Sequence, residues 1–67
     1  MMSGMSLVQA QERFVERVNA CQTGHFRRVR RGAWHQLAAW AEKHGYDAKT
    51  VCRDADDMAT LERQSDE

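Results

Sequence analysis

Proline is missing from this chain, and glycine occurs only at Gly4, Gly24, Gly32 and Gly45. No run of alternating β-branched or aromatic residues persists beyond a few positions, so nothing predicts a sheet. With few helix breakers and no strand pattern, the chain predicts an all-α fold. No apolar run is long enough to span a bilayer, and no membrane partner is expected. The start Met1-Met2-Ser3-Gly4-Met5 lacks the charged n-region and apolar h-region of a secretory signal. Cysteine is scarce as well: Cys21 and Cys52 allow at most one disulfide. A cytoplasmic protein with reduced thiols is the expectation. Net charge is also absent, ten basic side chains cancelling ten acidic ones.

Sixty-seven residues limit the chain to one small domain, which buries only ~60% of its unfolded surface. Domains of this size commonly add disulfides, a metal or a partner subunit. Here self-association is the expected addition, which makes the chain a homodimer. Residues 1–5 read as a disordered leader, 6–64 as the helical domain and 65–67 as a frayed tail.

What is present is helical periodicity. Ser6 and Gln9 have capping-box spacing at the start of a first helix. Leu7, Phe14, Val18 and Cys21, flanked by Val8 and Val15, form its apolar stripe, and Asn19 to Thr23 fray toward a stop at Gly24. A second helix starts near His25. Its stripe is Phe26, Val29, Ala33, Leu37, Trp40 and His44, widened by Trp34, Ala38 and Ala41. Gly32 interrupts it at ~1 kcal/mol relative to alanine, and one continuous helix is expected. Gly45 stands where a helix ends in the left-handed conformation. Asp47 then caps a third helix through its carboxylate, with Tyr46 and Val51 as a hydrophobic staple. That helix, Ala48 to Gln64, points Val51, Ala55, Met58 and Leu61 inward. The architecture predicted is a three-helix domain with a C-terminal helical hairpin.

No Ser-His-Asp, Cys-His or paired-carboxylate arrangement stands in a recognisable context, so no catalytic residue is expected. Asp54, Asp56 and Asp57 lack the spacing of a calcium loop and read as a solvated face. A tetrahedral zinc site would have to recruit Cys21, His25, His35, His44 and Cys52 from scattered positions. The cysteines are more simply small apolar core residues. Neither metal nor cofactor is expected.

Ala41, Gly45 and Val51 reproduce a spacing in which a small residue precedes a glycine by four positions and an aliphatic residue follows six later. Over about twenty residues this corner resembles the helix-turn-helix DNA-binding motif of phage repressors. The resemblance implies a dimeric DNA-binding regulator whose third helix reads the duplex. At the place of that helix's second buried aliphatic the chain has Asp54, and Asp56 and Asp57 would repel phosphates.

The charges are unevenly placed. Through Ala41, six arginines stand against two glutamates, giving +4; from Glu42 onward, four bases stand against eight acids, giving −4. The densest cluster is Phe26-Arg27-Arg28-Val29-Arg30-Arg31, whose guanidinium forks suit carboxylates or phosphates. Trp34 is either a core edge or an interface anchor. Arg27, Arg28, Arg30, Arg31 and Trp34 are the candidate partner-binding residues, with the Asp54, Asp56 and Asp57 face as the alternative. The sequence predicts a small non-enzymatic regulator, adaptor or inhibitor, of the kind phages and plasmids carry, acting on a protein partner. A dimeric helix-turn-helix DNA-binding regulator is the alternative, and a self-assembling structural subunit the second.

Overall fold

The computed structural model describes residues 4–21 and 25–64. It is a compact three-helix domain: α1 spans Leu7–Asn19, α2 Phe26–Lys43 and α3 Ala48–Gln64, with no strand among the described residues. The expected tail, the Gly24 stop and positions 1–3 of the leader lie outside the described residues. Met5 packs against the core.

α1 begins with a complete capping box. The Gln9 amide donates to Ser6 Oγ at 3.2 Å, and the Ser6 amide donates to Gln9 Oε1 at 2.9 Å. Such a cap is worth about 1 kcal/mol. The helix buries Ala10, Phe14, Val15 and Val18, together with the polar Gln11. Gln11 Nε2 reaches across to the Val51 carbonyl at 3.1 Å, and Asn19 Nδ2 to that of Ala59 at 3.2 Å. These bonds set α1 and α3 parallel. They also account for a departure from the stripe expected in α1: Val8 is 55% exposed. It precedes Gln11 by three residues and is therefore level with Ala48, where α3 has only begun to cover it.

α2 runs unbroken through Gly32, and a Cβ built there would meet nothing within 4 Å. It buries Ala33, Leu37 and Ala41. Its C-terminus closes as a Schellman motif. Gly45 has φ 81°, Tyr46 donates to the Ala41 carbonyl at 2.8 Å and Gly45 to that of Glu42 at 3.2 Å. Tyr46, expected to staple Val51, stacks its ring on Trp40, with centroids 5.7 Å apart. The His44 ring stacks on Trp40 at 4.4 Å.

The first α3 bond runs from the Val51 amide to the Asp47 carbonyl at 3.0 Å. The Asp47 carboxylate, expected to take a backbone amide, accepts from the Thr50 hydroxyl. α3 buries Val51, Cys52, Ala55 and Ala59, and Met58 packs partly against this core. Leu61, predicted inward, is 64% exposed. At roughly 100° per residue it lies about 80° round from Val51, on the side away from Cys52 and Ala59. The buried side of α3 is thus smaller in volume than predicted, made of Val51, Cys52 and two alanines, and small residues let helix axes approach closely. Among the described residues no buried side-chain nitrogen or oxygen lacks a partner. No helix among them is long and apolar enough to cross a membrane.

Candidate functional site

The arginine cluster occupies the first two turns of α2, where four guanidinium-bearing residues in five positions cannot all point one way. The structure separates them. Arg30 turns toward α3 and grips Asp56 with both arms of its fork: Nε to Oδ1 and Nη2 to Oδ2, each 2.8 Å. Its guanidinium carbon also lies 5.3 Å from the centre of the Trp34 ring. The hydrogen bond from Arg30 holds the Asp56 carboxyl below its ordinary range, and Asp56 in turn keeps Arg30 firmly charged. The two side chains remain 40% and 25% exposed, so water screens the pair to about 1 kcal/mol or less.

Trp34 lies between this pair and the core. Its ring meets the edge of Phe14 at 6.3 Å and 71°, and its carbonyl accepts a weak bond from Cys52 Sγ at 3.5 Å. It is half-buried, so the core-edge expectation holds for the ring, while one margin stays at the surface. Arg27 and Arg31, one turn apart, are exposed. With Arg30, Trp34 and His35 they line a shallow open depression of about 450 Å³. Arg28 is exposed but does not line it.

The candidate acidic face divides. Asp56 faces α2 and is paired with Arg30, whereas Asp54 and Asp57 are exposed, Asp57 one turn after Arg53. Sequence reasoning missed that the side carrying Asp56 also carries Lys49 and Arg53, seven and three residues before it and both exposed. The spacing was available as a signal, since positions three and four apart share a helix face. Arg63, further along, is occupied elsewhere: it donates to Asn19 Oδ1 at 3.0 Å and lies 4.9 Å over the Phe26 ring.

A second depression, about 740 Å³ and open, lies between α1 and α2. Phe14, Leu37 and Trp40 form its floor, with Arg13, Glu16 and Arg17 at the edge. Arg17 Nη1 donates to Gln36 Oε1 there. The metal-binding residue types are not gathered: no group of three or more His, Cys, Asp or Glu occurs among the described residues. Cys52 is fully buried, and burial pushes its thiol up, away from reactivity. Cys21 is half-buried, and both are free thiols. His44 holds its Nδ1 2.8 Å from the Trp40 carbonyl; since a carbonyl only accepts, that nitrogen carries the hydrogen.

Compared with known protein families, curated proteins and solved structures, the chain matches none.

Proposed function

We propose that this chain is a small non-enzymatic regulator, adaptor or inhibitor that works by docking on a protein partner, with the opening turns of α2 as the contact surface. The observation that carries this reading is the fixed position of Arg30. Its bidentate grip on Asp56 and its place over Trp34 leave Arg27 and Arg31 beside a preset, partly aromatic surface. Ordered guanidinium and aromatic groups side by side are the composition of binding hot spots. Burial in a single chain remains modest, with a core made largely of alanine, valine and cysteine. A homodimer is therefore part of the proposal.

The test is capture of partners from cell lysate with and without nuclease, using the wild type and a variant with Arg27, Arg28, Arg30 and Arg31 replaced by glutamine. Partners that survive nuclease and are lost with the variant support the reading. Loss of all partners after nuclease overturns it.

One observation favours the second reading, a dimeric helix-turn-helix DNA-binding regulator. Asp56 is neutralised by Arg30, and Lys49 and Arg53 are exposed in the first two turns of α3. The third helix is thus less repulsive to phosphates than its three aspartates imply. Duplex binding that strengthens as salt falls, with a slope reduced when Lys49 and Arg53 are replaced by glutamine, is its signature.

A further inference from the structure

Exposed charges without a partner on their own helix stand on opposite sides of the domain. Each helix packs against the other two, so the side made by α1 and α3 lies opposite α2. On α2, Arg28 and Arg31 are exposed one turn apart, on the side away from buried Ala33 and Leu37. No acid stands three or four positions from either, the spacing at which helical side chains pair. Glu42, the one acid of α2, is about 16 Å further along the axis.

On the opposite side, Glu12 shares a row with Val8, Val15 and Asn19. Asn19 bonds the Ala59 carbonyl, so this row runs beside α3. Facing it, Asp54 lies between Val51, whose carbonyl takes Gln11, and Met58. Glu12 and Asp54 are exposed, and no base stands three or four positions from either. The cations next to them in sequence point elsewhere: Arg13 edges the depression toward α2, and Arg53 is on the side of Asp56. Among the described residues no ion pair involves Glu12, Asp54, Arg28 or Arg31. The Gln11 and Asn19 bonds put Glu12 level with Cys52. Asp54 is then about 3 Å further along the axis and one helix spacing, about 10 Å, across. The two most exposed large aliphatics border the same side, Val8 one turn before Glu12 and Leu61 two turns after Asp54.

We propose that copies of this chain associate head to tail, the α2 ridge of one setting Arg28 and Arg31 against Glu12 and Asp54 of the next. Two arginines about 4.5 Å apart along the axis, on long stems, reach both carboxylates. The ridge also takes part of the apolar surface beside them out of water. The occupant is a second copy because this chain supplies both halves of the match. Ten bases against ten acids also leave no net charge to hold copies apart. Since the two surfaces are opposite, the contact is heterologous and does not close a pair. Each added copy leaves one ridge and one acidic side free, so growth continues as an open series or a ring. The inference deepens the self-association in the reading above, and an open pair keeps one arginine surface for a foreign partner.

The test is sedimentation equilibrium of the purified chain over a range of concentrations, at about 0.05 M and about 0.5 M salt. At low salt the average mass should rise past twice that of the chain, and high salt should lower it. Arg28→Gln/Arg31→Gln and Glu12→Gln/Asp54→Asn should each need at least about fivefold higher concentration to associate. Circular dichroism should show helicity unchanged, since all four positions are exposed and glutamine is about as good a helix former as arginine or glutamate. Mixed in equal amounts, the two variants should associate again but stop at twice the chain mass, because each supplies one intact surface. A mixture that stays as dissociated as its components overturns the proposal, since the two surfaces then do not meet. A mass fixed at twice the chain and unmoved by either variant overturns it in favour of a closed dimer through other surfaces. A monomer at all concentrations, or an acidic-side variant that associates as wild type, overturns it too. Purified chain contains no foreign partner, so failure here leaves the reading above to be judged by capture from lysate.

Discussion

At its C-terminus α2 has a glycine at positive φ, both bonds of a Schellman motif and Lys43 in the last turn, where a cation suits the helix dipole. At its N-terminus His25 caps it without a side-chain bond, and the first turn contains no acid. Arg27, Arg28, Arg30 and Arg31 crowd the end where the macrodipole is positive. One end follows every local preference of a helix, and the other violates most of them. A sequence in which local choices otherwise agree with the fold tends to break its own rules at surfaces kept for another purpose. The turns of α2 that break these local preferences are the ones that hold the arginine cluster.

Damage to the good end should have the largest effect. Gly45→Val forces a β-branched residue to φ 81° and should destabilise by about 1–3 kcal/mol. A domain of this size then melts lower by at least about 4 °C. An unchanged melting temperature would show that the corner is not held by its glycine. Repair of the poor end comes next. His25→Ser supplies a capping oxygen and should raise stability by about 1 kcal/mol. Gly32→Ala, where the added methyl meets nothing within 4 Å, should add a similar ~1 kcal/mol. Denaturant midpoints that move for neither would remove the energetic contrast between the ends.

The Arg30–Asp56 pair is a smaller effect with a definite pH signature. Asp56 is held below its unfolded value, so its contribution is complete above that value, about 3.9, and is lost as pH falls through the lower folded one. Urea melts should show wild type and Asp56→Asn converging below about pH 4, with a difference of at most ~1 kcal/mol at neutral pH. A constant difference at all pH values would mean that Asp56 acts by packing. Smallest of all, Arg27→Gln and Arg28→Gln should each stabilise slightly, by about 0.3 kcal/mol, by removing a cation from the positive end of the dipole. Stabilisation at Arg27 with loss of binding is the outcome that would most sharpen the comparison.

The features legible in the sequence are those decided within one or two helical turns. Ser6 with Gln9 announces the first helix and Gly45 the end of the second, while a lone glycine such as Gly32 is too weak a breaker to stop one. What was not legible depends on neighbours distant in sequence. Val8 has the spacing of a core residue and is exposed because α3 starts too late to cover it. Leu61 is exposed because the buried side of α3 is set by Cys52 and Ala59, residues too small to dominate a hydrophobicity pattern. At the candidate site, the cluster of arginines was plain, but the singling out of Arg30 was not. It depends on a contact with Asp56, 26 residues away, which no local rule specifies. Lys49 and Arg53 were hidden by the aspartates that follow them. Only a known α2-facing side separates Asp56 from Asp54 and Asp57.

The parallel setting of α1 and α3, fixed by the Gln11 and Asn19 bonds, gives the domain two unlike poles. Leu7 and the Gly45 corner share one pole; Gln64, Phe26 and Arg27 share the other. They are separated by about 25 Å, the length of a 17-residue helix such as α3. A fluorophore or affinity handle joined ahead of α1 thus sits beside the corner, a helix length from the arginines. The same group joined after α3 would crowd Arg27. Binding measured with the two attachments should differ, the second weaker, for reasons of placement alone.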